Sequence, residues 1–378
     1  MSDVLIYGDS IGSPAMRHEV PVPVPDDFVY AEHDGRRYVA VYSHELTRLG
    51  GVDSLETHPF EELGRDELVA AGLSNDEVLA ELALRACRHL GLTSASVPGK
   101  FPLSVADHLR ANGIDLTPDV PLFDGRRRRK NEAELAGIRR AQRACEAAMD
   151  AARALLRRAD ATGSVLMLDA EPLTCERIKA AVGRVFADHG ATGEVFIVSH
   201  GPQTAVGHEM GSGRIAAGEP VVLDLFPRDS ESGCYSDMTR TFVVGTAPDE
   251  LREYHRLVLE ALKRSHAALR PGVVARDFHL DVCRFFEEHG YPTQLSKEPG
   301  TVLEEGFFHG LGHGVGLEVH EKPSLGMTGH HELVVGDVVT LEPGLYRPGF
   351  GGCRLEDIVL VTEDGAENLT DYPYDLEP

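Results

Sequence analysis

The residues best suited to chemistry lie in one glycine-rich stretch, Phe307 to Glu321, with the sequence FFHGLGHGVGLEVHE. It carries His309, His313 and His320 among four glycines. Imidazole nitrogen is a common ligand for transition metals. So many glycines indicate backbone packed close to neighbouring atoms. A lone histidine is more often a surface or core residue, so the cluster needs further ligands before it indicates a metal site.

Upstream, two aspartates interrupt segments that otherwise favour β-strands. Asp224 lies in the apolar run 221–226, and Asp237 lies in the β-prone run 235–244. The residues between the runs are rich in Pro, Asp, Ser and Gly, a composition typical of turns. The sequence therefore predicts a hairpin with one aspartate on each arm.

Two β-prone segments downstream also carry acids. The run 338–342 ends in Glu342, and a single predicted strand over 352–361 carries Glu356 and Asp357. An uncompensated carboxylate in an apolar strand costs several kcal/mol, so it needs a cation or a hydrogen-bonding partner.

Two positive charges, Arg240 and Arg354, lie within three residues of one of these acids in sequence. An ion-pair network built from two arginines would leave some of the carboxylates uncompensated. Together with the histidines, the acids therefore predict one or two bound metal cations.

These segments resemble the catalytic domain of the pita-bread metallopeptidases, and most closely the Xaa-Pro peptidases, aminopeptidase P and prolidase. The resemblance covers residues 126–378, where five family motifs occur in the family's order. They are AVGH (205–208), the aspartate hairpin ending in SDMTRTF, HGLGHGVGLEVHE (309–321), VTLEPGLY (339–346) and GCRLEDIVLVT (352–362).

The resemblance implies a dinuclear metal-dependent exopeptidase that hydrolyses the Xaa-Pro peptide bond through a hydroxide bridging two ions. Asp224 is expected to bind one ion, and Asp237 and Glu356 are expected to bridge both. His313 and Glu342 would complete the second ion. The expected cofactors are two divalent ions per chain, manganese first, with cobalt, zinc or iron also suited to these ligands.

The same resemblance assigns catalytic and substrate-binding roles. Glu342 is the expected proton shuttle, and His320 the donor that stabilises the tetrahedral oxyanion. His208 is expected beside the substrate carbonyl, as a catalytic and substrate-binding residue. His309 and Arg354 are expected to line the substrate cleft, and the arginine to orient the bridging glutamate.

The hairpin departs from the family pattern by two additional residues between its aspartates. An even insertion keeps both aspartates on one face, so we expect an irregular tip and an intact ligand set. Leu-Phe-Pro follows Asp224, and Phe226 is expected to narrow the pocket for the substrate's N-terminal residue. The alternative is that Phe226 packs beneath the sheet. A short segment between Tyr346 and Cys353 is a second departure.

Three other functions stay open at this stage. A methionine aminopeptidase has the same catalytic fold, but the N-terminal region of about 125 residues and the LEVHE motif argue against it. A creatinase-like hydrolase lacks the metal ligands that this sequence retains. A non-catalytic binding module is the third, and loss of ligands would be its signature.

The chain length and the predicted helices and strands, which must position these residues, indicate an α/β (α+β) protein of two domains. Residues 1–125 form an α/β domain, expected to make oligomer contacts and to shape the cleft, and 126–378 form the pita-bread catalytic domain. Hydrophobic periodicity and turn signals predict strands at 37–42, 94–97 and 194–199, and helices at 75–90, 103–111, 131–159, 171–189, 249–269 and 275–289.

Composition limits the partners. A net charge of −24 argues against nucleic acid, and no apolar run approaches the ~20 residues that span a bilayer. The N-terminal residues lack signal-peptide features, and six cysteines without CxxC pairs fit buried thiols. We therefore expect a cytoplasmic homodimer acting on proline-containing peptides. The basic run 126–130 is interpreted as a solvated domain junction.

Overall fold

The computed structural model describes residues 3–378, which divide into two compact units, Met1–Arg127 and Arg128–Pro378. Each unit has a hydrophobic core of its own. The unit boundary falls two residues after the end of the predicted first domain.

The first unit contains a six-stranded mixed sheet with the order β4-β3-β2-β1-β5-β6. An Asp34-Gly35 turn with positive φ at both residues joins β2 to β3 in a tight hairpin. The strands are β1 Val4–Gly8, β2 Phe28–His33, β3 Arg36–Val41, β4 Leu55–Pro59, β5 Ser94–Val97 and β6 Asp115–Pro118. The helices are α1 Pro14–Glu19, α2 Leu46–Leu49, α3 Arg65–Ala70, α4 Asn75–Leu90, α5 Leu103–Ala111 and α6 Val120–Arg127.

The second unit contains four long helices and several small sheets. Its helices are α7 Glu132–Arg158, α8 Cys175–Asp188, α9 Asp249–Ala268 and α10 Ala275–Glu288. Its strands are β7 Met167–Leu168, β8 Glu171–Pro172, β9 Ala191–Thr192, β10 Ile197–His200, β11 Pro220–Leu225, β12 Arg228–Asp229, β13 Met238–Val243, β14 Gly312–Gly314, β15 Glu321–Leu325, β16 Val338–Leu341, β17 Gly344–Arg347, β18 Gly351–Arg354, β19 Asp357–Thr362 and β20 Gly365–Asn368.

Helix α7 starts as predicted. The Asn131 side chain accepts a hydrogen bond from the Glu134 backbone, and the Glu134 carboxylate accepts one from the Asn131 backbone. This capping box satisfies two amides that the first helical turn leaves unpaired. Helix α8 begins four residues later than predicted, because Thr174 caps it and Glu171–Pro172 forms strand β8 instead.

Three sheets carry the predicted site residues. Strand β11 lies between β10 and β13, and all its pairs are antiparallel, which confirms the aspartate hairpin. A second sheet has the order β15-β14-β16-β19-β20, and β17 pairs with β18 in a third.

The single strand predicted over 352–361 is wrong, because the structure divides it between two sheets. Arg354 pairs with Gly344 in one sheet and Asp357 pairs with Leu341 in the other. Between them the Glu356 backbone amide leaves both ladders and donates to the Thr239 carbonyl, 3.0 Å away. This hydrogen bond holds Glu356 outside both sheets, and its side chain lines the same cavity as Asp224 and Asp237.

The expectation of a solvated basic run is also wrong. Arg126 forms ion pairs with two glutamates of the first unit. Arg128 pairs with Asp337, and Lys130 pairs with Glu321 through a side chain that is only 2% exposed. Long cationic side chains are rarely this buried without a partner, so the sequence run alone misrepresents their environment.

All six cysteines are free and buried, as predicted. None of the helices within residues 3–378 is both long enough and apolar enough to cross a bilayer.

Candidate active site

The nine predicted site residues all line one cavity of about 640 Å³ in the second unit. They come from separate elements: the loop after β10, strand β11, the residue before β13, the glycine-rich stretch around β14, the residue after β16, the end of β18, and the β18–β19 connection. They are His208, Asp224, Asp237, His309, His313, His320, Glu342, Arg354 and Glu356.

The centre of the cavity is a cluster of two carboxylates and one imidazole. Asp237, His313 and Glu356 each offer a ligand atom, and these atoms lie within 4.8 Å of one another. The other two predicted ligands lie beside this cluster. Glu342 Oε1 is 3.5 Å from His313 Nε2, and the carboxylate of Asp224 contacts that of Asp237.

Burial and mutual repulsion raise the pKa values of these acids. Burial is the main cause for Asp237, and the charges of Glu356 and Asp224 raise it further. Burial and the charge of Glu342 raise the pKa of Glu356. For Glu342 itself, burial raises the pKa to about 8, although the positive charge of Arg354 opposes the change.

His313 presents one ring nitrogen to this cluster. Its Nδ1 lies 3.2 Å from the Gly314 carbonyl and can donate to it, which leaves the lone pair of Nε2 directed at the carboxylates. Burial lowers the pKa of His313 to about 3, so the ring is neutral at physiological pH. A neutral imidazole is the form that binds metal.

This environment fits divalent cations. Asp237 Oδ1 is buried and has no hydrogen-bond partner among the described residues, although a buried carboxylate oxygen is normally satisfied. Several carboxylates crowded together are stable as anions only when a cation compensates them. Four carboxylates and one imidazole are a donor set that suits manganese, cobalt, zinc or iron.

A chain of hydrogen bonds connects the outer cavity residues. Arg354 Nη2 donates to Asp224 Oδ2 at 2.6 Å, and Nη1 donates to the Tyr346 hydroxyl at 3.1 Å. That hydroxyl lies 2.8 Å from His309 Nε2 and donates to it, because His309 Nδ1 faces the Gly310 carbonyl. The chain fixes the tautomer of His309.

Arg354 reaches the predicted bridging glutamate only through a threonine. Its Nε donates to the Thr239 hydroxyl at 3.3 Å, and that hydroxyl donates to Glu356 Oε2 at 2.6 Å. Sequence analysis missed both Thr239 and Tyr346. A usable signal existed, since each lies inside a motif that carries a site residue, SDMTRTF and VTLEPGLY.

Two further predicted residues lie on the cavity wall. The His320 ring packs edge-to-face on His313, with ring centroids 4.2 Å apart. His208 lies close enough to lower the pKa of His320, adding to the larger effect of burial. His330 and His331 are exposed and His200 bonds to Glu219, and none of the three lines the cavity.

The lengthened hairpin keeps both aspartates in the cavity and has an irregular tip, as expected. The regular β11–β13 ladder ends at the Leu225–Met238 pair, and beyond it strand β12 pairs with β9 while Arg228 forms an isolated bridge to Tyr235 across the hairpin. The Asp229 carboxylate anchors the turn by accepting from Ser232 N at 2.8 Å and from Arg140 Nη2 at 2.8 Å. Phe226 is half-buried and lines the cavity.

The fold is the pita-bread fold with an additional N-terminal domain. The prolidase from Pyrococcus horikoshii superposes with a TM-score of 0.76 at 25% identity, covering 100% of this chain and 95% of that one. The Xaa-Pro dipeptidase from Bacillus anthracis superposes with a TM-score of 0.80 at 24% identity, covering 100% and 94%.

Residues 136–363 match the sequence model of metallopeptidase family M24, and the chain belongs to this family. A curated relative, the Xaa-Pro dipeptidase of Pyrococcus furiosus, is 38% identical over 196 residues. The alignment covers 51% of this chain and 52% of the relative, so the chain matches about half the length of that protein.

Proposed function

We propose that the protein is a dinuclear metal-dependent exopeptidase that hydrolyses the Xaa-Pro peptide bond, as an Xaa-Pro dipeptidase or aminopeptidase. The observation that carries the proposal is the convergence of all nine motif residues on one cavity, with Asp237, His313 and Glu356 at its centre. The similarity to proteins named prolidase and Xaa-Pro dipeptidase supports the substrate class.

In this proposal five residues hold two divalent ions, with manganese as the expected metal. Asp224 would bind one ion, Asp237 and Glu356 would be shared by both, and His313 and Glu342 would complete the second. Bound ions would supply an activated water and a Lewis acid for the scissile carbonyl. The crowded carboxylates support this assignment because they require compensating positive charge.

The remaining residues act on the substrate directly. Glu342 accepts a proton from the attacking water and passes it to the leaving nitrogen. The His320 ring donates a hydrogen bond to the developing oxyanion. His208 and His309 line the cleft around the substrate. Arg354 holds Asp224 in position by donating a hydrogen bond to its carboxylate.

We also propose that the protein is a cytoplasmic homodimer whose first unit, predicted as residues 1–125, supplies subunit contacts. Six free cysteines support a reducing compartment. Sedimentation equilibrium of the purified chain tests the dimer.

The test of the main proposal is hydrolysis of Xaa-Pro dipeptides and Xaa-Pro-Yaa peptides by protein purified without chelators and supplied with manganese. We expect cleavage before proline, its loss after chelation, and its recovery with added metal. Cleavage of Met-Ala-Ser but of no Xaa-Pro peptide would favour a methionine aminopeptidase. Hydrolysis of creatine without bound metal would favour a creatinase-like enzyme. Bound metal with no hydrolysis would favour a binding module.

A further inference from the structure

We propose that the buried ion pair between Lys130 and Glu321 is a positioning device for His320. The inference rests on the proposed function, in which the His320 ring stabilises the oxyanion. Glu321 follows His320 directly in the chain, so whatever fixes Glu321 constrains the backbone that carries the catalytic ring.

The pair is almost completely removed from solvent. Lys130 Nζ donates to Glu321 Oε1, and the two side chains are 2% and 1% exposed. The second oxygen, Oε2, accepts from the backbone amide of Glu318 at 3.4 Å. One carboxylate therefore connects the start of the second unit to both ends of the short loop 318–321.

The loop backbone is packed directly against this pair. A Cβ added to Gly316 would lie 2.7 Å from Glu321 Oε1 and 2.8 Å from Lys130 Nζ, closer than real Cβ contacts allow. The Gly316 amide donates to the Glu318 carbonyl at 3.1 Å, and its own carbonyl accepts from Tyr235 N at 2.8 Å. The backbone at Gly316, just before the loop, therefore packs directly on the ion pair.

The same loop reaches the centre of the cavity. His320 packs edge-to-face on His313 at a centroid distance of 4.2 Å, and the Val319 backbone hydrogen-bonds to His313. Because His320 belongs to this loop, the position of its ring follows the path of the loop backbone. Small displacements of a catalytic group are costly, since a shift of about 1 Å can reduce a rate ~10²-fold.

The test must separate positioning from stability. Removing Lys130 alone would leave the Glu321 carboxylate buried without its counter-charge and would destabilise the fold. The informative variant is Lys130→Met/Glu321→Met, which removes both charges and keeps side chains of similar length. The control is Arg139→Met/Glu367→Met, which removes an exposed ion pair from the same unit.

We expect the Lys130→Met/Glu321→Met variant to melt near the wild-type temperature and to bind manganese normally. Its kcat on an Xaa-Pro peptide should fall roughly 10- to 100-fold with KM nearly unchanged, the scale for a displaced catalytic group. The control variant should keep wild-type kcat. A folded, metal-loaded double variant with wild-type kcat would overturn the proposal.

A double-mutant cycle identifies the residue through which the pair acts. In a His320→Ala background, removing the pair should cause no further loss of kcat, because the positioned group is already absent. A loss that adds in full to that of His320→Ala would show that the pair acts elsewhere and would reject the inference.

A measurement without turnover separates this inference from the proposed function. In metal-free protein labelled with ¹³C-histidine, the His320 ring signal is identified by its disappearance in His320→Ala. We expect this signal to move in Lys130→Met/Glu321→Met and not in the Arg139→Met/Glu367→Met control. An unmoved signal contradicts positioning, whereas wild-type protein that cleaves no Xaa-Pro peptide contradicts only the proposed function.

Discussion

At the scale of single residues, the site is defined by charges that the protein does not neutralise by itself. Asp237 is almost completely buried, and its Oδ1 lacks a partner within residues 3–378. Arg354 compensates Asp224, whereas Arg240, the other nearby arginine in sequence, pairs with Asp357 outside the cavity. Neither arginine forms an ion pair with the carboxylates of Asp237 and Glu356, so a cation is needed to compensate their charge.

Substituting either bridging carboxylate should remove metal and activity together. We propose that both ions share Asp237 and Glu356, so we expect Asp237→Asn and Glu356→Gln to lower metal content well below that of wild type and to abolish peptide hydrolysis. Elemental analysis of protein purified without chelators measures the metal content, and a peptide assay measures hydrolysis. Glu367→Gln, an exposed surface change, is the control. Full metal content in either bridging variant would reject the assignment.

His320→Ala should separate catalysis from metal binding. The ring lies against His313 but is not a proposed ligand, so we expect normal metal content. Turnover should fall roughly 10²–10³-fold, the scale for loss of one oxyanion donor. Steady-state kinetics and metal analysis on the same sample measure turnover and metal content. Normal turnover would refute the role, and loss of metal would make His320 a ligand.

At the scale of elements, the hairpin shows how the chain accommodates extra residues near a site. Its tip is held by strand β12 on β9 and by the Arg140–Asp229 pair, so the insertion is absorbed outside the cavity. On the arm itself, Phe226 stands two residues beyond Asp224, and both side chains line the cavity. The element that supplies a ligand therefore also supplies part of the wall.

We predict that Phe226 limits the size of the substrate's N-terminal residue. Wild type should favour Gly-Pro and Ala-Pro over Leu-Pro and Phe-Pro, and Phe226→Ala should reduce that difference. The measurement is kcat/KM on the four substrates. Phe196→Ala is a matched control, since Phe196 is half-buried against the core beneath the sheet. An unchanged order of preference in Phe226→Ala, with a lowered melting temperature, would instead make Phe226 a core residue.

The local elements were largely predictable because their signals are local. Helix 75–90 and the start of α7 follow from caps and apolar spacing within a few residues. The strand break at Glu356 was not predictable in this way. Glu356 is turned out of the ladder by bonds from Thr239, more than a hundred positions away in the chain.

At the scale of the whole molecule, the sequence does not reveal which distant residues form buried ion pairs. Arg240 and Asp357 are both fully buried and pair across 117 positions, and Lys130 meets Glu321 across 191. The family motifs predicted which residues gather in the cavity. They could not predict these partners, because an ion pair between distant residues has no pattern of spacing.

Buried histidines should make the whole fold sensitive to acid. His279 is fully buried in α10 against Phe307, and burial lowers its pKa to about 4. The unfolded chain takes up this proton near pH 6.5, so it binds protons before the folded state does. The stability due to neutral His279 is therefore complete above about pH 6.5 and is lost as the pH falls toward 4.

We expect His279→Phe, which keeps the ring packing, to reduce this acid sensitivity. Between pH 7.5 and pH 5, wild type should lose about 2 kcal/mol more of its free energy of unfolding than the variant. Urea unfolding of metal-free protein at both pH values measures the difference, because contributions from the cavity histidines are then common to both proteins. His330→Gln, at an exposed position, should keep the wild-type dependence. Equal losses in wild type and His279→Phe would contradict a lowered pKa of His279 in the folded protein.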